Sequence, residues 1–134
     1  MKKKYIVTGI VLVILSIILG AFGAHSLKKV LIDFPEKLTS FETGVKYQMY
    51  MGLSFLWFGT SNLPNVKYLF QTWLLGVCFF SFSIYLLSIS NIIGYSFKFL
   101  GPITPIGGLL MIVGWMILLF SVIKFKFISC KSKW

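Results

Sequence analysis

The sequence predicts an all-α membrane protein: four transmembrane helices in an antiparallel, left-handed bundle, with a short interfacial helix between the first two. Three observations predict it. The chain of 134 residues is 57% hydrophobic and only 12% charged, whereas about a quarter of the residues in a soluble domain are charged. Its apolar residues gather into four segments, at about residues 5–24, 41–61, 68–90 and 103–123, each near the 20 or so residues that cross a bilayer core. Backbone amides and carbonyls find no partner in hydrocarbon, so each segment is expected to be helical. Residues 1–134 are therefore read as one integral membrane unit, with too little chain left over for an extramembrane enzyme domain.

The first segment follows Lys2, Lys3 and Lys4 and runs from Tyr5 to Ala24. It exceeds the roughly 7 to 15 apolar residues of a signal peptide and is read as a retained helix. Next, Leu27, Val30, Leu31 and Phe34 recur at i, i+3, i+4 and i+7 while Lys28, Lys29 and Asp33 take other faces. That pattern predicts an interfacial helix ending near Pro35. In the second segment Thr39 and Glu42 have capping-box spacing, and Glu42 and Lys46 form an i, i+4 pair. The third and fourth segments follow links marked by Leu63-Pro64-Asn65 and by Asn91, Gly94, Gly101 and Pro102, which are turn signals. Short links make sequential helices antiparallel neighbours.

All 13 basic residues are lysines, set against 3 acidic ones, for a net charge of +10. Their placement at the ends of apolar runs makes them topology signals, and nucleic acid is not an expected partner; the partner is the lipid bilayer. Four spans put both termini on one side. Lys2, Lys3, Lys4, Lys67, Lys124, Lys126, Lys131 and Lys133 fall there, against Lys28, Lys29, Lys37, Lys46 and Lys98 opposite, 8 to 5. The positive-inside rule then predicts cytoplasmic termini in a bacterial inner membrane. Cys78 and Cys130 lie near opposite depths without a CxxC or a nearby histidine, so neither a disulfide nor a metal site is expected.

Small residues recur every seven positions: Gly9, Ser16 and Gly23; Gly52 and Gly59; Gly76, Ser83 and Ser90; Gly107, Gly114 and Ser121. Such stripes let helix backbones approach along a left-handed seam. A second stripe in the first helix, Ser16, Gly20 and Ala24, offers a face to another copy of the chain or to a larger membrane complex. Gly20, Gly23, Gly52, Gly76, Gly107 and Gly114 are the expected packing positions.

Several motifs lie along the chain: Gly20-Ala21-Phe22-Gly23-Ala24-His25, Glu42 to Tyr50, Phe80-Ser81 with Ser83 and Tyr85 to Leu87, Ile103-Thr104-Pro105-Ile106-Gly107-Gly108, and Gly114-Trp115. In this order they resemble the small four-helix bacterial inner-membrane proteins of unknown function typified by YgdD and YwdK, over nearly the whole chain. The resemblance implies a multi-pass membrane protein and supplies no reaction, substrate or cofactor. The chain departs from the family pattern at Met51, where a histidine is expected, and at Phe82, where a glycine is expected. A role that needs a second histidine does not carry over.

His25, Glu42, Gln48, Tyr85 and Thr104 all fall toward one membrane face, and Tyr85 precedes Asn91 by about 9 Å of helix. They are the candidate residues of a shared polar pocket. A His25–Glu42 pair would favour the imidazolium. The structural alternatives are interfacial anchoring for the tyrosines and helix entry for Thr104. No nucleophile elbow, P-loop or dinucleotide fingerprint occurs, and one histidine without a second strong ligand does not support haem. No catalytic residue and no cofactor are expected. The first functional expectation is a non-enzymatic accessory or structural component of a membrane system. The alternative is a small-molecule or proton carrier using the outer-side pocket, with a lipid- or quinone-modifying enzyme third.

Overall fold

The computed structural model describes the backbone of residues 1–131 and the side chains of residues 1–125. Among them there are four long helices and no strand: α1, Lys3–Val30; α2, Pro35–Thr60; α3, Leu69–Ile93; and α4, Ile103–Lys131. Three helical stretches are long and apolar enough to cross a membrane, namely Lys3–Val30, Leu69–Ile93 and Lys98–Phe125. The last joins α4 to the single 3-10 turn before it, Lys98–Leu100. Lys46, Gln48, Tyr47 and Tyr50 make α2 more polar than these three.

The separate interfacial helix between the first two spans does not form. Instead α1 continues through a π-helical turn, Gly23–Leu27, to Val30. Leu27 and Leu31 are buried against Phe41 of α2, while Val30 and Phe34 are exposed, so the four residues do not share a surface-lying face. Pro35 begins a helix where it was expected to end one, because its fixed φ and missing amide suit the first helical position. Thr39 therefore lies inside α2, with its hydroxyl donating to Pro35 O at 3.0 Å, and no capping box opens the helix there.

The helices run up and down. Lys2 N donates to Gly59 O, Gly9 lies against Gly52 and Gly23 against Phe41, an antiparallel sequence of contacts along the whole α1–α2 seam. Likewise Trp73 meets Gly114, Gly76 meets Met111 and Phe80 meets Gly107 along the α3–α4 seam. At Gly9 a Cβ would lie 2.7 Å from Gly52 O, and at Gly76 it would lie 2.8 Å from Met111 N and 3.0 Å from Gly107 O. Both seams are thus closed to backbone contact. Ser16 is buried and Gly20 lies beside Val45 of α2, so of the second stripe Ala24 alone is on the open surface.

Between the two seams, α2 packs on α3 through aromatic rings. Trp73 is fully buried, edge-on to Phe55 at 5.5 Å and to Phe58 at 6.2 Å, and tilted against Trp115 at 4.8 Å. Tyr5 closes the layer, 4.7 Å from Phe58 and 5.1 Å from Phe70. Edge-to-face geometry sets the positive ring edge against a negative face.

Two helix ends are capped by lysines from elsewhere in the fold. Lys2 Nζ donates to Phe58 O at 3.2 Å and Ser61 O at 2.9 Å, where α2 ends. Lys37 Nζ donates to Ser90 Oγ and Asn91 Oδ1, each at 2.8 Å, with Leu87 O at 3.5 Å, where α3 ends. A cation is favoured at a helix C-terminus, where carbonyls lack partners. Gly94, at φ +72°, then turns the chain out of α3, and its amide bonds Ser90 O at 3.0 Å.

Gly107→Ala and Gly108→Ala make a paired test of this packing. The Gly107 methyl would collide with the backbone of Phe80, whereas the Gly108 methyl would meet the Phe80 ring at an ordinary 3.7 Å. Thermal unfolding in detergent is expected to show a loss of about 1–3 kcal/mol for Gly107→Ala. Gly108→Ala should be neutral, or gain up to about 1 kcal/mol from helix propensity.

Candidate functional site

A groove of about 510 Å³ opens between α1 and α3, walled by Leu12, Leu15, Leu19, Phe79 and Phe82. Its floor is polar. Gln48, 5% exposed, donates from Nε2 to Leu12 O at 3.2 Å and accepts from Tyr85 OH at 2.7 Å. One amide side chain therefore joins three helices, α1 through a main-chain carbonyl and α3 through a phenol. Gly44 makes room for the Tyr85 ring, since a Cβ there would lie 2.9 Å from Cε1. The ring also packs at a tilt on Phe41, with centroids 5.0 Å apart.

The local helix geometry that allows this is a second π-helical turn, Cys78–Phe82, within α3. Such turns add a residue to a helical turn and recur at functional positions. Here the turn carries Ser81, whose hydroxyl donates to Gly44 O at 2.9 Å, and it places Phe79 and Phe82 at the mouth of the groove. Ser83, the next residue of α3, turns to α4 and shares a 2.6 Å hydrogen bond with Thr104.

The five sequence-named pocket residues occupy separate places. Gln48 and Tyr85 are bonded to each other. Thr104 lies across α3 in a smaller recess of about 310 Å³ with Ser40, Thr43, Ile84 and Leu87. Glu42 is exposed and borders a shallow cleft of about 190 Å³ with Gly20, Gly23 and Lys46. His25 is exposed on the π-helical turn of α1. Neither of these last two lines the groove. Among the described residues no group of three His, Cys, Asp or Glu side chains is arranged to hold a metal ion. Cys130 lies outside the described side chains.

Ser81 was not among the site residues named from sequence. Its membership of the Phe80-Ser81 motif is the signal that could have found it. Lys2 and Lys37 carried no local signal for their capping roles, because their partners are 50 to 59 residues away.

A double-mutant cycle tests the Gln48–Tyr85 bond. Tyr85→Phe and Gln48→Leu are each expected to lose about 0.5–1.5 kcal/mol of unfolding free energy in detergent. The double variant should lose less than the sum, because both singles break the same bond. Strict additivity would remove the bond from the account.

The family model described as a protein of unknown function, DUF423, matches residues 19–108, a stretch that contains Gln48, Ser81, Tyr85 and the groove walls Leu19, Phe79 and Phe82. The chain is 41% identical over 126 residues to the UPF0382 membrane protein SH2409 of Staphylococcus haemolyticus, covering 92% of this chain and 98% of the relative. It is 35% identical to the UPF0382 membrane protein YwdK of Bacillus subtilis over 129 residues, again 92% and 98% of the two chains. A UPF0382 membrane protein of Haemophilus influenzae is 34% identical over 131 residues, 94% and 98% of the two. No solved structure matches. With three helical stretches able to cross a bilayer and relatives named as membrane proteins over almost their full length, the chain belongs to the DUF423 family of membrane proteins of unknown function.

Proposed function

We propose that the chain is a non-enzymatic accessory or structural component of a membrane system in the bacterial inner membrane, a left-handed four-span bundle with both termini cytoplasmic. The observation that carries this reading is how the polar side chains inside the bundle are used. Gln48, Tyr85 and Ser81 tie α1, α2 and α3 together, and Ser83 and Thr104 tie α3 to α4. Interhelical hydrogen bonds of this kind act as glue between spans. The titratable candidates His25 and Glu42 are on the surface, outside that network.

Packing supports α2 as the fourth span. Its 26 residues correspond to about 39 Å of helix, beyond the roughly 30 Å of a hydrocarbon core, and they run beside α1 from Phe41 to Gly59. The seven-residue spacing of the small residues supports the left-handed crossing. The count of lysines along the sequence, 8 to 5 in favour of the side that holds both termini, supports the orientation. The large apolar side chains exposed on α1 and α4, such as Ile14, Ile17, Leu109 and Leu119, face lipid, another copy of the chain or the partner complex in this arrangement.

A second reading, a carrier of a small lipophilic molecule, is favoured by the groove itself, where Gln48 and Tyr85 offer a polar floor beneath apolar walls. Liposomes separate the two. The accessory reading expects proton and solute flux equal to that of protein-free liposomes, and unchanged by His25→Ala. It also expects a membrane protein to copurify in mild detergent. Flux above that level that is lost in Tyr85→Phe, which alters the groove floor, would establish the carrier instead. A periplasm-active reporter fused after Trp134 is expected to be silent, and an active fusion would reverse the orientation.

A further inference from the structure

Where α3 ends, a cleft of about 770 Å³ lies between the start of α2 and the link that follows Gly94. Lys37, Lys98, Ser88 and Asn91 line it, with the aromatic rings of Phe34 and Phe97. We propose that this cleft binds a phosphate-bearing anion, either the headgroup of an acidic phospholipid or free phosphate. The inference does not rest on the accessory role and concerns a different part of the molecule from the groove.

Three observations point to such a ligand. The first is Ser88, which is 2% exposed and whose hydroxyl has no hydrogen-bond partner. Several other serines in these helices bond a carbonyl of their own helix, and Ser81 bonds one of α2. Ser16, Ser40 and Ser54 donate to the carbonyl four residues earlier, and Ser90 donates to the carbonyl three residues earlier. Ser88 does neither, so a buried donor on the cleft wall is left over.

The second is charge. Lys37 and Lys98 both line the cleft, and none of Asp33, Glu36 and Glu42 does. The Lys37 ammonium sits 2.8 Å from Ser90 Oγ and 2.8 Å from Asn91 Oδ1, which holds it in place, while its contact with Leu87 O is long at 3.5 Å. An ammonium has three protons, so one is free to turn to an oxyanion without loss of the other two bonds.

The third is position. Tyr95 and Phe97 pack with ring centroids 5.0 Å apart, and Phe97 and Phe99 6.2 Å apart, along the link beside the cleft. Tyr95 and Phe99 are more than 60% exposed. Aromatic side chains of this kind sit at headgroup level, where the phosphates of a bilayer lie. Two lysines at that level attract acidic lipid over zwitterionic lipid; the Asn91 amide adds a neutral donor, and the Ser88 hydroxyl adds a second by turning toward the cleft that its residue lines.

The test uses the full chain purified in mild detergent, with native mass spectrometry reading how much phosphatidylglycerol and phosphatidylcholine are retained from an equimolar supply. Phosphatidylglycerol is expected to be preferred. Lys98→Gln should lower its retention about fivefold and Ser88→Ala about tenfold, with phosphatidylcholine unaffected. The melting temperature of Ser88→Ala should not fall, because its hydroxyl makes no internal bond; a purely structural serine would behave in the opposite way. A parallel arm adds inorganic phosphate to the delipidated protein against chloride at the same ionic strength. Stabilisation by phosphate alone, lost in the same variants, assigns the site to the soluble anion. The proposal is overturned by the absence of both effects, or by their survival in the Ser88→Ala/Lys98→Gln double variant.

Discussion

Helices in a bilayer gain nothing by hiding apolar surface from one another, because the surrounding acyl chains are as apolar as leucine. What holds them is the density of contact, and here that density is set by glycine. Gly9 against Gly52, and Gly76 against Gly107, bring main chain onto main chain, where many weak dispersion contacts add up. The polar bonds follow from this closeness. Gln48 reaches Leu12 O, and Ser83 reaches Thr104, only because the seams beside them have no side chain to hold the backbones apart.

The aromatic layer between the seams has a different task. Trp73, Phe55, Phe58 and Tyr5 fill the interior toward the end where the chain starts, and Gly114 leaves a recess into which the indole fits. The indole N–H has no partner, a cost accepted for volume and edge-to-face ring contact. Toward the other end the filling gives way to hydrogen bonds through Gln48, Ser81 and Tyr85. The interior is thus graded along the length of the helices, with bulky apolar packing at one end and directional bonding at the other.

Much of this was legible in the sequence where periodicity carried it. The four helices, their up-and-down order and the buried small residues reflect patterns that repeat within each segment. Gln48 and Tyr85 stood out as polar residues in apolar surroundings, and the structure bonds them to each other. The surface helix misled because Leu27 and Leu31 have amphipathic spacing for a reason outside their segment: they cover Phe41. Similarly, the Thr39–Glu42 spacing fits a cap, but Pro35 starts the helix one turn earlier. The placing of His25 and Glu42 away from Gln48 had no sequence signal either, since a shared membrane face says nothing about azimuth around a helix. Long-range partners such as Gly44 for Ser81, 37 residues away, become visible only in three dimensions.

The π-helical turn Cys78–Phe82 has a further consequence for α3. Before it, the buried positions are Leu69, Trp73, Gly76 and Val77; within it, Ser81; after it, Ser83, Ile84 and Ser88. An uninterrupted α-helix continuing from Leu69 and Trp73 at 3.6 residues per turn would bury positions near 80, 83–84 and 87, so the extra residue delays the inner face by about one position. Ser81 and Ser88 point inward because of that delay, and Ser83, near the older phase, is left to bond α4. The helix therefore carries two rotational settings in one continuous rod. Excising a single residue within Cys78–Phe82 would therefore remove the extra residue and return α3 to one continuous α-helical phase, with Ser81, Ile84 and Ser88 still on the inner face.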